Sequence, residues 1–264
     1  MTEMPAWRSN REDHSVELSK VPMPRPEPHE VLVTVLACDV CRTDLHVIDG
    51  KLPVHRDHVI PGHQIVGEVA SVGSAVRTLV PGDLVGVAWL RSSYGFCQWC
   101  RSGRENLCPD STYTGWDLDG GYAEYLTVPA AFAYPLPAGT DPIKTAPLLC
   151  SGIIGYRALQ RAMLTPGGNL GLYRFGSSAH LTAQIAGIHL SDIPAMNYER
   201  ELFYERDLRT VTANTRAGGA AFLRIAHNLT LAPEVTVYPF ARVDSALDDL
   251  RAGSASGSLV ISFS

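Results

Sequence analysis

The chain has 264 residues and a formal net charge of −5. That length accommodates one or two domains around a sizeable buried core, and the mild acidity excludes the broad basic face that a nucleic-acid partner needs. The polar opening MTEMPAWRSNREDHSVELSK lacks the apolar stretch of a secretion signal, and no run approaches a membrane span, so the cytosol is the expected compartment. In chain order, residues 29–90 are strand-rich: VLVTVLA and QIVGEVASVG carry β-branched residues in partial alternation, and VPGDLVGVAW sets a Pro-Gly-Asp turn before another strand. GGYAEYLTV (120–128) reads as a further strand. TAPLLCSGIIGYRALQRAM (145–163) then has helical spacing and stops at Thr165-Pro166-Gly167-Gly168. A short strand over 170–175, a helix from about Ser177 and a late strand near Ile188 follow. Residues 198–209, 216–229 and 244–253 read as helices, and SLVISF as a terminal strand.

The six cysteines are clustered at Cys38, Cys41, Cys97, Cys100, Cys108 and Cys150. In a reducing compartment such clusters are metal ligands or core residues before they are disulfides. Cys41, His63 and Cys150 form a ligand set, two thiolates and an imidazole, that can hold zinc in a tetrahedron with one open position. From spacing alone, three unrelated core residues are an equal alternative.

VCRTDLH, PGHQIVG, VPGDLVGV, SGRENLC, GGYAEY and APLLC occur in an order that resembles the zinc-dependent medium-chain alcohol dehydrogenases, from about residue 25 to the end with one large gap. The resemblance implies an α/β plus β fold: a GroES-like β-rich catalytic domain with a shortened Rossmann-type domain. The expected divisions are 1–150 for the catalytic zinc domain, 151–235 for the truncated cofactor domain and 236–264 for a C-terminal return to the catalytic domain. It implies Cys41, His63 and Cys150 as catalytic zinc ligands, Thr43 as the hydroxyl that bonds the substrate oxygen, and His46 as the end of a proton relay. Asp44 is implied as the carboxylate that orients His63. The bland reading of Thr43 and His46 is a solvated loop pair. One departure stands beside the ligands: relatives carry glutamate after the ligand histidine, and this chain has Gln64, which removes a negative charge.

YGFCQWCRSGRENLC resembles the structural zinc lobe of the same family, whose pattern is C-x2-C-x2-C-x7-C. Cys97, Cys100 and Cys108 keep the last three places, and Tyr94 takes the first. A phenol with a pKa near ~10 is a poor zinc ligand, so the lobe either holds metal on three thiolates or stays empty.

Aligned with the dinucleotide fingerprint G-x-G-x-x-G/A, the turn after residues 170–175 places Arg174, Gly176 and Ala179 at the three key positions, with Ser177 beside them. Gly176, Ser177 and Ala179 are the candidate cofactor-binding residues, whose backbone at a helix start suits a pyrophosphate. Arg174 replaces the tight-turn glycine. Too few residues separate Ala179 from the strand near Ile188 for the rest of a βαβ unit. Gln184-Ile185-Ala186 therefore reads as a junction over a lost block that carried the ribose-binding acid. Glu199, at the right distance for such an acid, reads instead as a helix charge.

The resulting expectation is an enzyme that moves hydride between a primary alcohol or aldehyde and NAD or NADP at a catalytic zinc, with turnover impaired by the missing block. The alternative is a non-enzymatic zinc-binding protein or inactive remnant on the same scaffold. Expected partners are a small alcohol or aldehyde and, through the late strand, a second copy of the chain; neither nucleic acid nor membrane is expected.

Overall fold

A computed structural model describes residues 2–10, 12–163, 211–254 and 256–263. The described residues build around one seven-stranded sheet, in which six strands follow one another and the seventh pairs beside the central strand. Its axis is β3 (Glu30–Val40), whose near-continuous apolar sequence is buried on both faces, as an interior strand must be. One edge of β3 pairs antiparallel with β4 (Gln64–Val72). The other edge is shared between β8 (Tyr125–Pro129) and β11 (Ser258–Ser262). The terminal strand thereby returns to the first large strand of the sheet. β10 (Val235–Pro239) pairs parallel with β11, while β5 (Leu84–Val87) and β9 (Ala133–Pro135) extend the β4 side.

Alternating residues of this sheet feed two apolar clusters. Val33, Val35, Ile65, Val69, Leu259 and Ile261 belong to one, and Ala37, Val66 and Val260 to the other. The second cluster receives α4 (Ser151–Ala162) through Ile153 and α5 (Arg216–Asn228) through Phe222, with Leu149 joining just before α4. Thr215 caps α5 by accepting from the Gly218 N–H at 3.1 Å, and α6 (Val243–Ala252) closes over β11.

Three elements differ from the sequence expectation. Residues 3–22 carry no clear strand signal, yet β1 (Glu3–Asn10) and β2 (Ser15–Pro22) form a hairpin docked by Trp7, whose indole donates to the Phe240 carbonyl at 2.9 Å. The strand expected over 120–128 begins only at Tyr125. The N–H groups of Gly120, Gly121 and Tyr122 donate instead to the carbonyls of Ile60, Gly62 and Pro61, so they cannot join a ladder. The single helix expected over 145–163 is α3 (Pro142–Thr145), a 3-10 turn (Ala146–Leu149) and then α4, ending at Met163 in the left-handed region. Pro147 has no N–H to continue the first piece, and Cys150 stands at the break with φ −123° and ψ −68°.

The expected elements near 170–175, 177, 188 and 198–209 lie outside the described residues. No helix among the described residues is long and apolar enough to cross a membrane.

Candidate metal centre

The end of β3 delivers Cys41 to the N-terminus of α1 (Arg42–Ile48), where it is the N-cap with φ −130° and ψ 173°. Its sulfur accepts from the Thr43 N–H at 3.4 Å, and its own N–H donates to Asp44 Oδ2 at 2.9 Å. This reciprocal pair is a capping box with a thiol in place of the usual hydroxyl. Local helix-start geometry thus fixes the direction of the Cys41 side chain.

Asp44 is 1% exposed and collects four donors. Oδ1 accepts from the Gly62 N–H at 3.2 Å and from His63 Nδ1 at 2.8 Å, while Oδ2 takes the Cys41 N–H and the Tyr122 hydroxyl at 3.1 Å. The bond to Nδ1 sets the tautomer of His63 and turns Nε2 toward Cys41 Sγ, 3.5 Å away. Burial opposes a charge on His63, but the Asp44 carboxylate and Cys41 outweigh it and hold the ring well above the ordinary histidine range. Burial, reinforced by Asp44, pushes the Tyr122 hydroxyl up, which keeps it a donor.

Cys150, between the 3-10 turn and α4, completes the group. The ligand atoms of Cys41, His63 and Cys150 lie within 4.8 Å of one another. The hydrogen bond with Cys150, then burial, raises the Cys41 thiol well above its usual range. Zinc bonds of ~2.0–2.3 Å in a tetrahedron put neighbouring donors roughly 3.3–3.8 Å apart, which the 3.5 Å between Cys41 Sγ and His63 Nε2 matches, so the donor set suits such an ion. Trp89 meets His63 edge-on, with ring centroids 5.0 Å apart, and stacks on Tyr113 and Trp116. Thr43 and His46 are both half-buried on α1, three residues apart and so on one helix face. They are not a loop pair.

Gln64 is fully buried and donates from Nε2 to Asp39 Oδ2 at 2.7 Å. Asp39 is not among the residues expected from sequence, although an acid inside VLVTVLACDV is a visible signal. Burial pushes its carboxyl well up, the charges of Cys41 and Asp44 add to this, and His63 opposes it. Tyr122 and Trp89 also escape a reading of the sequence, because their roles depend on contacts 78 and 26 residues away along the chain.

The second cluster is built more loosely. Cys97, Cys100 and Cys108 bring their sulfurs within 4.8 Å of one another, around α2 (Gln98–Arg101). The Gly95 N–H donates to Cys100 Sγ at 3.3 Å and the Tyr94 N–H to Cys108 Sγ at 3.5 Å. A hydrogen bond from Ser93 pulls the Cys100 thiol down, and burial pushes Cys108 up. Tyr94 is 59% exposed with its ring against Phe96, so its backbone, not its phenol, serves the cluster. Three sulfurs fit a tetrahedral metal in only three of four corners. A Tyr94→Cys variant is expected to retain about one more zinc per chain than the wild type and to melt higher. Unchanged metal content and melting would show that the lobe folds without need of the fourth ligand.

A family model for the alcohol dehydrogenase GroES-like domain matches residues 27–138. Among curated proteins, the probable alcohol dehydrogenase AdhA of Mycobacterium tuberculosis (strain CDC 1551 / Oshkosh) is 44% identical over 335 residues, covering 98% of this chain and 97% of that protein. This chain belongs to the medium-chain alcohol dehydrogenase family. The alignment with that family member spans at least 71 positions more than the 264 residues present here, so the relative carries residues with no counterpart in this dehydrogenase-family chain. Solved medium-chain alcohol dehydrogenases share the fold. A cobalt- and zinc-bound thermostable alcohol dehydrogenase from Pyrobaculum aerophilum superposes with a TM-score of 0.82 at 24% identity, covering 99% of this chain and 100% of that one. The CAD of Helicobacter pylori complexed with NADP(H) gives 0.85 at 19% identity, covering 99% and 98%. The α/β plus β class, GroES-like with a Rossmann-type part, is that of the family. Gly176, Ser177 and Ala179 lie outside the described residues.

Proposed function

We propose that the chain is a zinc-dependent alcohol dehydrogenase that exchanges hydride between a primary alcohol or aldehyde and NAD or NADP. The observation that carries this reading is the convergence of Cys41, His63 and Cys150 within 4.8 Å, with Thr43 and His46 on the adjoining helix face. When bound, zinc supplies Lewis acidity to a substrate oxygen and the nicotinamide takes up the hydride. The chain's residues do the rest. Cys41, His63 and Cys150 hold the ion and leave one position free. Asp44 keeps His63 in the tautomer that presents Nε2. The Thr43 hydroxyl bonds the substrate oxygen and takes its proton, and His46, half-buried on the next turn, passes that proton toward solvent. Trp89, backed by Tyr113 and Trp116, puts an aromatic wall beside His63.

A second reading is favoured by one observation. The residues present in the relative and without counterpart here are numerous enough to hold a strand, a helix and the ribose-binding acid of a nucleotide fold. Without them the chain would be a zinc-binding protein that turns over no alcohol by itself. Titration with NADH, followed by its fluorescence, separates the two without a guess about the alcohol. Saturable binding at about micromolar concentration supports the dehydrogenase. Retained zinc with no NADH binding supports the second reading and removes the first.

A further inference from the structure

We propose that Asp39 is a positioning residue of the metal centre: its carboxyl, reached across the sheet through Gln64, supplies the acidic group that residue 64 lacks. The inference rests on the reading of Cys41, His63 and Cys150 as metal ligands.

Asp39 and Gln64 are direct cross-strand partners in the antiparallel β3–β4 ladder, and Asp39 is also opposite Val260 of β11. Partners in this register have Cβ atoms ~5 Å apart on one face, and here the side chains meet with Gln64 Nε2 donating to Asp39 Oδ2 at 2.7 Å. Their neighbours on that face are Ala37, Val66 and Val260, all buried and apolar. Asp39 is 2% exposed and Gln64 0%. The carboxyl has no route to solvent and one donor.

The remaining oxygens are the telling feature. Asp39 Oδ1 and Gln64 Oε1 are both buried and neither has a hydrogen-bond partner. A pair kept only to hold two strands together has no use for two orphaned acceptors, since an apolar pair of the same shape fills the space without them. Two unsatisfied buried acceptors on one hydrogen-bonded pair describe instead an electron-rich spot suited to a neighbouring cation. Its position agrees: Gln64 follows His63 directly, and Asp39 lies two residues before Cys41. Both ligands leave the sheet at this rung.

Within the resemblance drawn from PGHQIVG, residue 64 is where relatives carry glutamate. In this chain the acid stands one rung-width across the ladder, on β3 and not β4, and the amide remains as the link. The Nε2 bond to Asp39 also fixes which way the Gln64 amide faces, so Asp39 orients the residue that directly follows the ligand His63. Partners of this kind commonly change metal affinity by ~10–100-fold when removed.

The test compares zinc affinity, by competition with a chromophoric chelator, in five chains: wild type, Asp39→Asn, Gln64→Glu, Asp39→Asn with Gln64→Glu, and Asp39→Leu with Gln64→Leu. The three-cysteine lobe is common to all, so differences report the first centre. Asp39→Asn is expected to bind zinc roughly 10–100-fold more weakly. The transposed double variant, Asp39→Asn with Gln64→Glu, is expected to recover to within about threefold of wild type, because it restores one acid and one amide on the same rung. Gln64→Glu alone sets two buried carboxyls against each other and is expected to lower the melting temperature of the metal-free chain. The dileucine variant guards against a purely structural effect: it should melt at or above wild type when metal-free, yet show the weakened zinc affinity. Zinc affinity unchanged within about threefold in Asp39→Asn or in the dileucine variant would overturn the proposal, as would a transposed variant no better than Asp39→Asn. Wild type that retains no zinc at this centre would instead remove the metal-site reading on which the proposal rests.

Discussion

Replacing Asp44 with asparagine is expected to lower stability by about 3 kcal/mol or more and to weaken metal binding by ~10–100-fold. The carboxylate accepts from four groups: the Gly62 N–H and His63 Nδ1 on one oxygen, the Cys41 N–H and the Tyr122 hydroxyl on the other. Asparagine keeps one oxygen and puts an NH2 at the other place. Whichever way it turns, two buried donors face a third donor. Each unpaired buried group costs ~1–3 kcal/mol. For a chain of this size that corresponds to a fall in Tm of roughly 10 °C. The metal effect has a separate origin, since the neutral amide gives His63 Nδ1 a weaker acceptor than the carboxylate, or a donor when its NH2 takes that place. Thermal melting of the metal-free chain and zinc competition read the two losses independently. A melting temperature within about 2 °C of wild type would show that the four bonds do not cooperate as the distances indicate.

The second large effect is expected at Gly62. Its φ is +92°, and an added Cβ would stand 2.7 Å from the Tyr122 ring and 2.9 Å from Cys38 Sγ. Both neighbours are fully buried and packed, so neither can yield cheaply. Gly62→Ala therefore combines backbone strain with overpacking, for about 2–4 kcal/mol in all. Because the residue immediately precedes His63 and donates to Asp44, the displacement should also reach the metal centre. Gly82 provides the control: its φ is +94°, but nothing lies within 4 Å of a Cβ there. Gly82→Ala should cost only the backbone strain, about 1–2 kcal/mol. Chemical denaturation of the two variants side by side should separate them clearly, and equal losses would mean that packing at Gly62 contributes nothing.

Local pattern and distant pairing differ in how far the sequence discloses them. The helices over 216–229 and 244–253 are legible because amphipathic periodicity is a local property, and they are found at Arg216–Asn228 and Val243–Ala252. The spacing of Cys41, Thr43, Asp44 and His46 is also local, and helix α1 converts it directly into direction. What is not legible depends on pairing across distance. Gly120 to Tyr122 resemble strand because their composition suits one, yet their N–H groups are taken by the Ile60–Gly62 segment. The helical pattern over 145–163 hides the break at Cys150, although Pro147 signals it. Asp39 gives little sign of its place because its meaning lies in the register with Gln64, which periodicity does not supply. The hairpin over residues 3–22 escapes notice since its buried apolar residues, Met4, Ala6 and Trp7, are few, do not alternate cleanly and are interspersed with polar ones.

The number of zinc ions held per chain in wild type and in Cys150→Ser, measured after exhaustive dialysis against zinc-free buffer, tests the metal centre most directly. Cys150 comes from a different element than Cys41 and His63, so its loss removes a ligand without touching the helix start that directs Cys41. The expected result is a loss of about one equivalent in the variant, with the three-cysteine lobe unchanged. Equal zinc content in the two chains would contradict a metal centre at Cys41, His63 and Cys150.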